Sequence, residues 1–290
     1  MRAKAHSRRE LMSAAVALSV AAEAYAVEAP AELRRVAVKG NVHHSACLWC
    51  YRMPIAEFAP AARALGLEGV DLVPPADFAT LKEHGLTCTM THGVWGGIQR
   101  GLNRKEHHAP IRDSLLELID ATADAGFSRV ICFSGNRGGQ DDAEGLKLCA
   151  EGIKLVLARA EARKVMLCME LLNSRVDHPD YQCDQTEWGV ELCKAVSSER
   201  FKLLYDIYNM QIMEGDVIRT IRKHHAYFGH YHTGGNPGRG EIDETQELFY
   251  PAIVRAILAT GYQGVIAQEF VPKRPDKLAS LAQGVGICDV

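Results

Sequence analysis

The chain has 290 residues, of which 47% are hydrophobic and 24% are charged, with 25 Gly and 11 Pro. These proportions exclude a disordered, collagen-like or low-complexity protein and predict a globular chain with a sizeable core. The formal net charge is −3, so the composition gives no basis for a general affinity for nucleic acid or acidic membranes. No apolar run reaches about 20 residues, the length that a transmembrane helix needs, so no membrane span is predicted.

The N-terminal segment differs in character from the rest of the chain. Arg8 and Arg9 belong to a basic start, an apolar run follows over 11–22, and residues 24–26 (Ala-Tyr-Ala) match the small-x-small pattern of a signal-peptidase site. Residues 7–12 resemble the twin-arginine export motif of bacteria. We therefore predict a twin-arginine-type signal peptide over 1–26, a mature domain over 27–290, and export to the periplasm.

An amphipathic N-terminal helix of the mature fold is the alternative for this segment. The run 11–22 has no polar face at helical spacing, which disfavours that alternative. Removal of residues 1–26 takes away four basic and two acidic side chains, so the net charge changes from −3 to −5. The more acidic mature domain further disfavours a nucleic-acid partner.

The nine cysteines are interpreted as core residues. Cys88, Cys132 and Cys168 lie in short apolar runs, where Cys packs as a small hydrophobic side chain. Cys47 and Cys50 form a C-x-x-C, but no second pair follows at zinc-ribbon spacing, and a redox or metal role is the alternative. Because nine is odd, at least one thiol has no intrachain disulfide partner.

Beyond residue 40, short apolar runs alternate with longer amphipathic segments. The strand-like runs cover 43–48, 69–73, 86–90, 129–133, 165–171, 201–206, 227–232 and 264–270. The helical segments cover 54–65, 111–125, 143–163, 184–196, 217–224 and 247–259. Asp141 or Asp142 can cap the helix near residue 143, and Gly66, Gly126 and Gly261 lie where helices should end.

This alternation predicts a parallel sheet with right-handed crossovers. Eight strand-like runs within about 230 residues match a closed (β/α)8 barrel, which takes about 250 residues. An open doubly wound sheet is the alternative, but residues 43–54 contain no glycine for a phosphate-binding loop after the first strand. The predicted fold is a single (β/α)8 TIM barrel of the α/β class.

The last four strand-like runs each end in a potential metal ligand. These residues are Glu170, Asp206, His232 and Glu269, and they are separated by about one strand–helix unit each. In a barrel the carboxyl ends of the strands meet at one mouth, where the chemistry takes place. Three carboxylates and an imidazole suit Mn²⁺, Mg²⁺ or Co²⁺, with Zn²⁺ as an alternative. Strand ends that merely become polar near solvent would explain one or two of these residues, but not four.

The sequence resembles the hydroxypyruvate isomerase-like branch of the xylose isomerase-like TIM-barrel superfamily from residue 39 to about residue 274. Its most specific segments are 69–72 (Gly-Val-Asp-Leu), 92–106, 205–211 and 230–243. The resemblance implies that the four strand-end residues bind a divalent metal and that Glu170 and Glu269 also transfer protons. It also places Arg239 near a substrate-binding arginine of relatives. Relatives often carry His three residues after Asp206, where this chain has Asn209, which can bind a substrate oxygen but cannot carry a proton.

The resemblance implies a metal-dependent isomerase that acts on a small hydroxy-keto acid or keto-sugar through an enediolate. A ketose 3-epimerase or a keto-sugar lyase on the same metal site is the alternative. Arg239 or Arg52 could pair with a substrate carboxylate. His92, which ends the third strand, Trp95, in the glycine-rich loop after it, and His178, after the fifth strand, are further candidates for substrate contacts.

Each of these three side chains also has a purely structural interpretation, at the barrel rim or on the surface. His230 has the same strand parity as His232 and is expected to be a core histidine.

Two other classes of function compete with the isomerase. An endonuclease IV-like phosphodiesterase needs several metals, additional His ligands and a DNA-binding surface, so the predicted mature charge and Asn209 disfavour it. A non-catalytic sugar-binding protein is favoured by export. The predicted partner is a small sugar or keto acid, and the sequence leaves open whether the chain forms a homo-oligomer.

Overall fold

A computed structural model describes residues 38–290, and its eight strands form a closed parallel barrel in chain order. The strands are β1 (His43–Cys47), β2 (Gly69–Val73), β3 (Thr87–Thr91), β4 (Arg129–Cys132), β5 (Met166–Glu170), β6 (Phe201–Asp206), β7 (Phe228–Thr233) and β8 (Val265–Gln268). β1 pairs with both β2 and β8, which closes the barrel and confirms the predicted fold class. The predicted signal peptide lies outside the described residues and stays a prediction.

Nine α-helices cover the barrel within residues 38–290. They are α1 (Ile55–Ala64), α2 (Phe78–Glu83), α3 (His108–Asp124), α4 (Asp142–Arg163), α5 (Thr186–Val196), α6 (Ile207–Met213), α7 (Val217–His224), α8 (Tyr250–Leu258) and α9 (Lys277–Cys288). All six predicted helices are present. The sequence pattern did not predict α2 and α6, which have fewer than two full turns, or α9, which follows the last strand.

The helix ends agree with the predicted capping residues. Asp141 caps α4, since its Oδ1 accepts a hydrogen bond from the backbone N–H of Glu144 at 2.9 Å. Gly66, Gly126 and Gly261 follow α1, α3 and α8 with φ angles of +89°, +81° and +84°. Only glycine adopts this left-handed conformation without a steric cost, so these positions end the helices where the sequence indicated.

The interior of the barrel has an apolar side and a polar side. The apolar side chains come from β3 to β6, namely Met90, Ile131, Cys168 and Leu204. The buried polar side chains come from β1, β2, β3 and β7, namely Ser45, Asp71, Thr89 and His230. The larger apolar core lies between the barrel and its helices and carries most of the hydrophobic stabilisation.

All nine cysteines are buried and free of disulfides, as the core-packing interpretation predicted. Burial raises the pKa values of the Cys47 and Cys50 thiols, which keeps both thiols protonated and unreactive at neutral pH. Within residues 38–290, no helix combines the length and the apolar character needed to cross a membrane.

Candidate active site

Four side chains meet at the carboxyl end of the barrel. Glu170 ends β5, Asp206 ends β6, His232 lies in β7, and Glu269 directly follows β8. One ligand atom from each of them lies within 4.8 Å of the ligand atoms of the others, and all four residues are buried. The structure therefore brings together the four residues that the sequence proposed as a metal site.

Strand register explains why these side chains converge. Asp206 is paired with His232 across β6 and β7, so the two side chains are direct neighbours on the same face. His232 Nδ1 lies 2.7 Å from Glu269 Oε2 and 3.5 Å from Glu170 Oε1. The Nδ1 atom of His232 is thus the ring nitrogen that faces the carboxylates.

The other ring nitrogen of His232 binds a residue to which sequence reasoning gave no role. His232 Nε2 lies 2.9 Å from Asp71 Oδ2, and His230 Nε2 lies 2.7 Å from the same oxygen. His230 is therefore an interior histidine with a partner, as predicted. Once Nδ1 has lost its proton, an Nε2–H that donates to Asp71 leaves the Nδ1 lone pair of His232 free to bind a metal ion.

The second carboxylate oxygen of Asp71 is also hydrogen-bonded. Asp71 Oδ1 accepts hydrogen bonds from the hydroxyls of Ser45, at 2.9 Å, and Thr89. Burial opposes ionisation of Asp71, but the charges of His230 and His232 and their hydrogen bonds outweigh it and hold the pKa well below its usual range. Asp71 is therefore a buried carboxylate that fixes the orientation of the His232 ring.

The three carboxylates of the cluster have different proton affinities. Burial, with repulsion from Glu269, raises the pKa of Glu170 to about 7 and that of Asp206 to about 6. Burial also opposes ionisation of Glu269, but His232 and Arg239 outweigh it and lower the pKa to about 2. The cluster therefore carries more negative potential than the protein compensates, which is the environment that a cation needs.

Arg239 partly balances this negative charge. Its Nη1 lies 2.8 Å from Glu269 Oε2, its Nη2 lies 2.5 Å from Asp206 Oδ2, and its guanidinium lies over the Tyr208 ring at 4.6 Å. The residue has a φ of +51°, a left-handed conformation that costs a non-glycine residue about 1–2 kcal/mol. Two buried ion pairs hold it there, so the turn around Arg239 is built to deliver this side chain to the cluster.

A cavity of about 680 Å³ opens beside the cluster. Its lining includes five residues that the sequence proposed for the site, namely Glu170, Glu269, Arg239, His92 and His178. The volume lies within the range of about 300–1,000 Å³ that is typical of small-molecule sites. The arrangement is that of a ligand pocket with charged groups at one end.

Comparison with known proteins shows the family to which this chain belongs. A family model described as xylose isomerase-like TIM barrel matches residues 59–285. The chain belongs to the xylose isomerase-like TIM-barrel family. The 2-oxo-tetronate isomerase of Cupriavidus necator is 29% identical over 224 residues, which cover 73% of this chain and 85% of that protein. The hydroxypyruvate isomerase of Escherichia coli is 26% identical over 233 residues, which cover 76% and 88%.

A solved structure supports the family assignment at the level of the fold. The AP endonuclease, family 2, from Brucella melitensis superposes on this chain with a TM-score of 0.77 and 24% identity, covering 83% of this chain and 97% of that one. At this identity the likeness concerns the barrel and not the activity.

In this xylose isomerase-like chain, Trp49 lines the cavity and Trp95 does not. Trp95 does not line the cavity and packs against the Arg100 guanidinium and the His107 ring, with centroid distances of 4.9 and 5.7 Å. Trp49 lines the cavity, and its Nε1–H donates to Glu269 Oε1 at 2.9 Å. The Trp95 ring therefore lies at the barrel rim, which was its alternative interpretation, and a substrate contact of Trp95 stays a prediction.

Asn209 also lies outside the cavity lining. Its Nδ2 donates to Asp206 Oδ2 at 2.5 Å, and its Oδ1 accepts from the Asn173 side chain at 2.6 Å. Asn209 is fully buried and positions Asp206, and its contact with a substrate stays a prediction. Asn209 reaches Asp206 because α6 begins immediately after Asp206 and turns Asn209 back onto its capping residue.

The donor set fits one divalent cation in this family member. Three carboxylate oxygens and one imidazole nitrogen suit Mn²⁺, Mg²⁺, Co²⁺ or Zn²⁺, and Asp71 supplies the outer hydrogen bond that metal-binding histidines usually have. Within residues 38–290, every group of three or more converging potential ligands contains His232. Within the same residues, the group of Glu170, Asp206, His232 and Glu269 is the only one of these that offers four potential ligands.

Proposed function

We propose that the protein is a divalent-metal-dependent isomerase that moves the proton next to the carbonyl of an α-hydroxy ketone or aldehyde. The observation that carries this proposal is the placement of two glutamates, Glu170 and Glu269, at the same end of one cavity and within the same ligand cluster. Two relatives named as isomerases of hydroxy-keto acids support the same reaction class.

Glu170, Asp206, His232 and Glu269 would hold the metal ion. A divalent ion supplies Lewis acidity, which polarises a carbonyl oxygen and stabilises the negative charge that develops on it. Asp71 keeps the Nε2–H of His232 directed away from the cluster. Asn209 and Arg239 hold Asp206 in place from two directions.

The two glutamates would carry the proton transfer. One carboxylate removes the proton from the α-carbon, and the electrons of that C–H bond form the double bond of a cis-enediolate. An aldose–ketose isomerisation is completed when the proton returns to the neighbouring carbon and the hydroxyl proton moves to the former carbonyl oxygen. Return of the proton to the opposite face of the same carbon gives an epimer. Trp49 and Arg239 each bind an oxygen of Glu269, which keeps that carboxylate ionised and oriented.

Metal analysis followed by proton-exchange NMR tests the proposal. The purified protein is analysed for bound metal, loaded in turn with Mn²⁺, Mg²⁺, Co²⁺ or Zn²⁺, and incubated in D₂O with a panel of ketoses and hydroxypyruvate. We expect metal-dependent loss of the α-proton signal of at least one compound, with the product telling isomerase from epimerase. Absence of exchange with every compound would overturn the proposal. Metal-dependent cleavage of an abasic duplex would favour the phosphodiesterase.

A further inference from the structure

The cavity offers no unpaired cation within the described part of the chain. Arg239 is the only Lys or Arg side chain in its lining, and both of its Nη atoms are bound to carboxylates. Together with a divalent ion, Arg239 would just balance the three carboxylates of the cluster. Asp177 also lines the cavity and makes the wall net negative. A substrate carboxylate would therefore find no unpaired cationic side chain here and would add to the negative charge of the wall, which is unfavourable.

The two histidines of the lining do not supply the missing charge. Burial lowers the pKa values of His92 and His178, and the charge of Arg239 adds to this effect at His178. Both rings are then neutral at neutral pH and offer one donor and one acceptor each. These are partners for hydroxyl groups, which an uncharged sugar carries along its chain.

Part of the cavity wall is apolar. The proposed metal ligands come from β5 to β8. The apolar side chains of the lining come from β2, from the loop after β3, and from the ends of β4 and β5. These apolar residues are Leu72, Ile98, Ile131, Phe133 and Leu172. This wall continues the apolar side of the barrel interior through Ile131. The cavity therefore has a charged part at the metal ligands and an apolar part along this wall.

The loop that carries part of this wall is fixed by its neighbour. The Gln99 carbonyl accepts from the Asn136 N–H at 3.0 Å, and Gly101 packs against the Gly135 backbone so closely that an added Cβ would overlap it. Ile98 is therefore held over the cavity by backbone contacts between the loops after β3 and β4. The apolar wall is a built part of the site, present before any ligand binds.

From these observations we infer that the substrate is an uncharged ketose or keto-sugar whose end remote from the carbonyl is apolar, such as a deoxy-sugar. It would thus differ from the keto acids for which the two relatives are named. This inference rests on the proposed function and specifies only which α-hydroxy ketone the site accepts. The carbonyl end meets the charged cluster, and the far end meets the apolar wall.

Three ketohexoses that differ only at carbon 6 test the inference. They are a 6-deoxyketohexose, the parent ketohexose and the ketohexuronate, which end in a methyl, a hydroxymethyl and a carboxylate group. α-Proton exchange of the metal-loaded protein is compared across the three compounds, and dihydroxyacetone is compared with hydroxypyruvate. We expect kcat/KM to be at least tenfold higher for the deoxy-sugar than for the uronate, and higher for dihydroxyacetone than for hydroxypyruvate.

A pair of variants checks that charge causes the preference. Gln99→Arg adds a cation to the cavity lining and should raise the uronate-to-deoxy ratio of kcat/KM about tenfold. Gln263→Arg adds the same charge just before β8, at the opposite end of the barrel, and should leave the ratio unchanged. Faster exchange of the acids than of the neutral sugars overturns this inference but leaves the enediolate reaction intact. Exchange of neither class overturns the proposed function together with this inference.

Discussion

Replacement of Asp71 tests whether the buried carboxylate behind His232 supports metal binding. In Asp71→Leu, the Nε2–H groups of His232 and His230 both lose their acceptor. In Asp71→Asn, the new amide can donate to the hydroxyls of Ser45 and Thr89 and keep its oxygen toward the histidines, so mainly the negative charge is lost.

The expected losses of affinity differ between these two variants. Loss of the outer partner of a metal-binding histidine lowers affinity about 10–100-fold, or about 1.4–2.7 kcal/mol. We expect the lower end for Asp71→Asn and the upper end for Asp71→Leu. Ser45→Ala leaves the carboxylate in place and should change the affinity less than about threefold.

Calorimetric titration of the chelator-treated proteins with Mn²⁺ measures these affinities, with circular dichroism as a check on folding. The supporting role of Asp71 in metal binding would be refuted if folded Asp71→Leu bound Mn²⁺ within twofold of the parent protein. It would equally be refuted if Ser45→Ala lost as much affinity as Asp71→Leu, since the effect would then come from the hydrogen-bond network in general and not from the histidine.

Three further predictions concern pH, the cavity indole and the N-terminus. The pKa values of Glu170 and Asp206 are raised to about 7 and about 6, and that of His232 is also raised, so metal must displace protons from these ligands. In pH-resolved Mn²⁺ titrations, affinity should fall at least about tenfold per pH unit below pH 7 and more steeply below pH 6. Trp49→Phe removes the N–H bound to the glutamate after β8 and should lower kcat about tenfold with little change in KM in steady-state assays. The double substitution Arg8→Lys and Arg9→Lys should abolish export of the protein, as measured by cell fractionation.

Each of these predictions has a contrary outcome. Metal affinity that is constant from pH 8 to pH 5 would mean that the cluster carboxylates are ionised throughout this range. A kcat within twofold of the parent in Trp49→Phe would assign the indole to substrate packing alone. Export that persists in the double lysine variant would contradict a twin-arginine signal.

The strand ends were predictable because topology gives them a common location. An alternating pattern of strands and helices leaves few folds, and in a barrel a polar residue at the end of each strand must reach the same mouth. Glu170 and Glu269 could therefore be grouped from sequence although they lie far apart in the chain. Their burial and their different proton affinities depend on side-chain contacts that the pattern does not encode.

The residues that support the ligands were not predictable in the same way. Asp71 lies in β2 and reaches His232 in β7 across the barrel interior, a contact between strands that do not pair with each other. Trp49 and Trp95 both follow strands, and nothing in the sequence distinguishes the indole that points into the cavity from the one that packs on the rim. Such assignments depend on loop conformation, which local sequence specifies least.

Glu170 and Glu269 are proposed to transfer a proton in addition to binding the metal. The most direct test is α-proton exchange in D₂O by metal-loaded Glu269→Gln, with metal occupancy measured on the same sample and Glu57→Gln, an exposed position on α1, as the control. We predict exchange at the parent rate in the control and a loss of about 10²–10⁴-fold in Glu269→Gln, with metal still bound. Exchange at the parent rate in metal-loaded Glu269→Gln would contradict the account.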